Sequence, residues 1–119
     1  ELGVAIVAEE HNLCWWDQLD ESQPLYSLAN KVLSMPAHGS IQRRLDNALA
    51  TVERYKCDAV VHFNHWGCRQ SQGALRVMQD RFRAEGIPFL QIDGDCGDEN
   101  NIQMGPLRTR IEAFVETII

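Results

Sequence analysis

Apolar residues along this chain fall into two kinds of run. Short continuous runs span Val4 to Ala8, Ala59 to Phe63 and Pro88 to Ile92, and a polar or turn-forming stretch follows each. Continuous runs of this length predict strands covered on both faces. Other stretches space their apolar residues by three and four, the helical repeat. Pro24 opens one that carries Leu25, Leu28, Ala29, Val32 and Leu33, and the segment from Met35 to Gly39 breaks it. Ser40 stands as N-cap of a second helix whose inner stripe is Ile41, Leu45, Ala48, Leu49 and Val52. A third runs from about Ser71 to Glu85 with Leu75, Met78 and Phe82 inward, and Gly86 sits where a helix C-terminus favours glycine. The last starts near Pro106 and buries Leu107, Ile111, Phe114, Val115 and Ile118 on one face.

Strands alternating with helices imply parallel pairing through right-handed crossovers. The predicted fold is therefore α/β, a three-layer Rossmann/flavodoxin-like domain with a short parallel sheet flanked by helices. Residues 1–119 read as one such domain, and that length suffices for a single core. Both ends read as cut from a longer subunit, because the first strand-like run begins at Val4 and the chain stops on Ile118 and Ile119.

Composition narrows the class. With 45% hydrophobic and 24% charged residues the chain reads as a soluble globular protein. No apolar run approaches the roughly 20 residues that span a bilayer, and no signal peptide is recognisable. A net charge of -6 opposes binding to nucleic-acid phosphates. Four cysteines without regular spacing predict a reducing cytoplasm with free or metal-bound thiols rather than a disulfide framework.

In a parallel sheet the loops after the strands open on one edge, and three of the cysteines, Cys14, Cys68 and Cys96, lie in such loops. The richest loop runs His62-Phe63-Asn64-His65-Trp66-Gly67-Cys68-Arg69-Gln70. His62, His65 and Cys68 are potential metal ligands, although strand alternation sends His62 and Phe63 to opposite faces. Cys68, just before a helix and beside Arg69, is placed for thiolate chemistry. The first loop mixes Glu9, Glu10, His11, Cys14, Trp15, Trp16 and Asp17, and its adjacent carboxylates read as a solvated turn. The third, from Asp93 to Asn101, is acidic and Gly-containing, and its carboxylates read as caps for the final helix or ties for neighbouring backbone amides rather than as a Ca²⁺ loop. Cys57 precedes the second strand and reads as buried packing.

No Gly-x-Gly-x-x-Gly follows the first strand, and there is no P-loop, no Gly-x-Ser-x-Gly elbow and no Cys-x-x-Cys. A dinucleotide domain, nucleotide hydrolase, serine hydrolase or thioredoxin is thereby disfavoured. From the residues alone two classes stay open. One is a mononuclear site of His65 and Cys68 with His62 or Cys14, of the kind that holds zinc. The other is an interaction module in which the indoles form a docking patch.

The order Tyr55-Lys56-Cys57-Asp58-Ala59-Val60-Val61, then Asn64-His65-Trp66-Gly67-Cys68-Arg69, Gly86-Ile87-Pro88, Gln91-Ile92-Asp93-Gly94-Asp95 and Thr109-Arg110-Ile111-Glu112-Ala113-Phe114 resembles a known family. It is similar to the carboxy-terminal domain of the 2-hydroxyacyl-CoA dehydratases, which include the related benzoyl-CoA reductase subunits. The resemblance implies a subunit of an oxygen-sensitive iron-sulfur lyase, built from several α/β domains. It implies a 4Fe-4S cluster held by cysteines drawn from different domains, with Cys68 aligned to the carboxy-terminal cluster cysteine; Cys96, after the Asp93-Gly94-Asp95 turn at a position that varies in the family, is a further candidate metal ligand. The implied partners are an acyl-CoA substrate, a homologous second subunit and an ATP-dependent activator protein that delivers one electron at low potential. The electron passes through the cluster to the thioester carbonyl, and the ketyl radical lets the hydroxyl leave to form enoyl-CoA. The related reductases use similar electron delivery to reduce an aromatic ring.

Overall fold

The computed structural model describes residues 2–12 and 18–119. The order of its main elements is α1 (Pro24–Ser34), α2 (Ile41–Tyr55), β1 (Val60–His65), α3 (Arg69–Ala84), β2 (Phe89–Gly94) and α4 (Met104–Glu116), with short 3-10 turns at Glu10–Asn12, Pro36–His38 and Glu99–Asn101. The protein is α/β, and the chain divides into two compact units.

The first unit comprises Lys56–Ile119 together with the start of the chain up to Ala5. Its sheet is β1 beside β2 in parallel register, Val60 opposite Phe89 through His65 opposite Gly94. Partners in register point to the same side, so His62, Asn64, Gln91 and Asp93 share one face, while Phe63, His65, Ile92 and Gly94 share the other. Helix α3 covers the first of these faces. It buries Ala74, Met78 and Phe82, and Phe82 stacks on Phe89 of β2 with ring centroids 5.4 Å apart. Helix α4 packs on β2, where Arg110 donates from its guanidinium to the Gln91 carbonyl at 2.7 Å and Val115 is buried. Ile92, pointing away from α3, is buried too. The sheet is thus flanked by helices, as the alternation of elements predicts.

Helix α3 ends as expected. Gly86 takes φ +71°, Gly86 N–H donates to the Arg83 carbonyl and Ile87 N–H to that of Phe82. That pair of bonds is the αL glycine cap, which closes the orphan carbonyls and turns the chain into β2.

The second unit is Ile6–Tyr55. Pro24 opens α1, and the Ser40 hydroxyl accepts from Arg43 N–H at 3.3 Å at the start of α2. Leu45 is buried, with Ala48, Leu49 and Val52 half-buried beside it. The α1 stripe is not buried: Leu25, Leu28, Val32 and Leu33 are exposed.

Val4 to Ala8 forms no strand. Ile6 is 83% exposed, and Val4 and Val7 are also exposed. An apolar run records a preference for cover, whereas a strand exists only through ladder bonds to a neighbour, and the run itself does not specify one. Glu10 is not a solvated turn residue either. Arg44, only 8% exposed, clasps its carboxylate with Nε to Oε1 at 2.7 Å and Nη2 to Oε2 at 2.6 Å, a bidentate fork of the strong, charge-assisted kind.

Candidate functional site

The C-terminal edge of the two-stranded sheet gathers the loop after β1 and the loop after β2. Strand β1 runs two residues past the predicted end, so Asn64 and His65 are strand residues. Trp66 N–H then donates to the Gly94 carbonyl at 3.2 Å, tying the exit of β1 to that of β2.

Cys68 closes the turn. Its N–H donates to the His65 carbonyl at 3.0 Å and its carbonyl accepts from Gln72 N–H at 3.0 Å. The residue is the N-cap of α3, and its sulfur accepts from Ser71 N–H at 3.4 Å. Serine, threonine or aspartate fills this role in most helices, and here a thiol does. The Gln72 side-chain amide donates to the Trp66 carbonyl at 2.8 Å and braces the same turn. The sulfur-bearing side chain is half-buried, set at the rim where the strands end and not in the hydrocarbon interior.

The backbone of the second cysteine is tied to the same histidine. Cys96 N–H donates to His65 Nδ1 at 3.3 Å, so the backbones of Cys68 and Cys96 both rest on His65. Cys96 itself is exposed. Asp95 Oδ1 lies 3.7 Å from the same Nδ1. Asp95 accepts from Gly97 N–H and from the Asn101 amide, each at 2.9 Å. The Gly97 amide first, then Asn101, holds its carboxyl below the usual aspartate value, with a smaller contribution from His65. Asp95 and Asp98, the latter through Asn100 N–H, therefore tie down neighbouring backbone amides as expected from the sequence, whereas Asp93 accepts from the side-chain amides of Asn64 and Gln91 instead.

On the α3 face, beneath this rim, lies a polar row without a motif. His62 is 7% exposed, its Nε2 lies 2.9 Å from Ser71 Oγ, and its ring stacks on Phe89 with centroids 6.0 Å apart. The Asn64 amide donates to Asp93 Oδ1 at 2.7 Å, Gln91 Nε2 donates to both Asp93 oxygens at 2.6 and 2.7 Å, and Gln79 Nε2 donates to Gln91 Oε1 at 3.1 Å. The one signal for this row in the sequence is alternation: His62 and Asn64 flank Phe63, so the two share one face of the strand, opposite Phe63.

Among the described residues, no three His, Cys, Asp or Glu side chains are grouped to hold a metal ion. His62, His65 and Cys68 therefore do not make the mononuclear centre that their spacing admits. His62 turns to α3 and Ser71 instead. Cys14, Trp15 and Trp16 lie outside the described residues. Cys57 is half-buried, away from this edge at the entry to β1.

The sequence model of the 2-hydroxyglutaryl-CoA dehydratase D-component family matches residues 1–118, nearly the whole chain. The chain belongs to this dehydratase family. No curated protein matches it. Membership makes this a 2-hydroxyacyl-CoA dehydratase-type subunit, in a family of lyases that uses iron-sulfur cofactors and works with partner subunits. No helix among the described residues is long and apolar enough to cross a membrane.

The donor set at the rim fits such a cofactor as a contributor. A half-buried thiol at a strand end, with an amide N–H already directed at its sulfur, is the environment that stabilises a cluster-bound thiolate. A cluster of this type takes about four thiolates, more than the two thiols on these loops could provide.

Proposed function

We propose that this chain is the carboxy-terminal domain of a 2-hydroxyacyl-CoA dehydratase subunit and that Cys68 supplies one thiolate to a 4Fe-4S cluster. The observation that carries this is the position of the Cys68 sulfur, at the sheet's C-terminal edge, capping α3 and receiving the Ser71 amide. Cys96 is the second ligand of this chain, presented on the neighbouring loop by its bond to His65. The other ligands come from cysteines outside residues 1–119.

When bound, the cluster supplies one-electron chemistry at low potential, which makes loss of an unactivated hydroxyl from a 2-hydroxyacyl-CoA feasible as a radical dehydration to enoyl-CoA. This chain's residues hold the thiolates in place. The turn from His65 to Gln72 fixes the Cys68 backbone with two hydrogen bonds, and His65 sets the spacing between the two cysteine loops. A homologous second subunit and an ATP-dependent activator that delivers the electron complete the system, which belongs in an anaerobic, cytoplasmic setting.

Iron and acid-labile sulfide in the anaerobically prepared full-length subunit test the assignment. Cys68→Ala is expected to lose most of both, and Cys96→Ala to lose part. Unchanged iron and sulfide in Cys68→Ala would remove Cys68 from the ligand set.

A further inference from the structure

The Cys68 sulfur is joined to the core of its unit by a continuous line of contacts, none of which the cluster chemistry requires by itself. Phe82 is fully buried and stacks on Phe89 at 5.4 Å with planes 23° apart. Phe89 stacks on His62 at 6.0 Å with planes 22° apart. The imidazole is therefore buried against Phe89 in the sheet–helix interface, which limits its freedom to rotate. Its Nε2 meets Ser71 Oγ at 2.9 Å, and Ser71 is the residue whose N–H points at the sulfur.

From these contacts we infer that His62 is a positioning residue for the cluster, acting through Ser71 to hold the first turn of α3 so that its amide stays on the Cys68 sulfur. The inference rests on the assignment of Cys68 as a cluster ligand. The physical reason is the weakness of the final link. An N–H···S contact at 3.4 Å is long and falls off when the donor swings. The first turn of a helix frays readily, because its amides have no intrahelical acceptors. Without a hook from β1, the Ser71 amide would sample orientations away from the sulfur. His62 supplies that hook from a strand residue whose side chain is 7% exposed. Hydrogen bonds to cluster sulfurs raise the reduction potential by withdrawing charge from the thiolate, so a dependable amide sets the potential at which the cluster accepts and releases its electron.

Ser71→Ala keeps the amide and removes the hook. His62→Phe keeps an aromatic ring in the stack and removes the same contact from the other side. His62→Gln restores a side-chain nitrogen able to reach the Ser71 hydroxyl. The measurement is the midpoint potential and the electron paramagnetic resonance g-values of the reduced cluster in the full-length subunit, with iron content and a thermal melt recorded on each sample.

Ser71→Ala and His62→Phe are expected to retain iron and fold, to shift the potential to more negative values by a similar amount, and to change the g-values. The double variant is expected to shift no further than either single one, since both remove one link. His62→Gln is expected to return most of the way to the parent potential. Parent-like potential and g-values in both Ser71→Ala and His62→Phe, in a protein whose cluster is lost on Cys68→Ala, would overturn the role of His62 alone. Full cluster content in Cys68→Ala would instead overturn the ligand assignment beneath it.

Discussion

Gly94 is the residue on which the geometry of the rim turns. A Cβ added there would lie 3.0 Å from Phe63 Cε2 and 3.3 Å from Cζ, with Ile102 close behind. The Gly94 carbonyl accepts from Trp66 N–H, so any shift of Gly94 carries the turn that presents Cys68. The Phe63 ring is part-exposed and can give way, which keeps the cost of Gly94→Ala to about 1–2 kcal/mol, the lower range for overpacking. Urea unfolding should show that loss, and Phe63→Leu in the same chain should recover part of it. Parent stability in Gly94→Ala would mean that Phe63 does not close over this position. Asp93 and Asp95 on either side have separate duties, the first receiving Asn64 and Gln91 and the second receiving Gly97 and Asn101.

Among the elements, α2 shows how far a local pattern reaches. Its N-cap and its buried Leu45 follow from the sequence, but its second buried side chain is Arg44, which carries a charge. Arg44 is tolerated because Glu10 meets it with two hydrogen bonds at 2.6 and 2.7 Å. Removing one member leaves the other charge without its partner, so Arg44→Ala should cost about 2 kcal/mol, in the range for hydrogen bonds to charged groups. Chemical denaturation checks this, and Glu10→Gln, which keeps an acceptor for Arg44, should cost less. Equal losses in the two variants would contradict the pairing.

The same contrast separates what the sequence discloses from what it hides. Helix ends marked by Pro24, Ser40 and Gly86 are legible because capping is a property of a few adjacent residues. Alternation at His62 and Phe63 is legible because it follows from strand geometry. Arg44 with Glu10 is not, since the partners are far apart in sequence and nothing local announces the pairing. Neither is the failure of Val4 to Ala8 to form a strand, because pairing depends on a neighbour. At the rim, Cys68 was legible from its place between a strand and a helix, but its bond to the Ser71 amide and the hold of His62 on Ser71 were not. These are tertiary contacts between residue types common in any core or cap.

At the scale of the whole molecule, the parallel pairing of β1 with β2 carries the functional argument. Parallel strands deliver both following loops to one edge, so two cysteines separated by an entire helix and strand come to rest on a single histidine. A family match over residues 1–118 makes this a dehydratase-type subunit, and thiolates are the ligands that hold iron-sulfur clusters. Under the proposed assignment Cys68 and Cys96 would be this chain's two ligands, and the remaining thiolates would come from elsewhere in the subunit.

Cys68→Sec, with selenocysteine in place of the cysteine, converts the central claim into a direct spectroscopic question. Selenium-edge X-ray absorption on the anaerobic full-length subunit should show an iron neighbour bonded to the selenium. A selenium atom with carbon as its sole neighbour, in a preparation that retains its full iron and sulfide, would contradict the assignment.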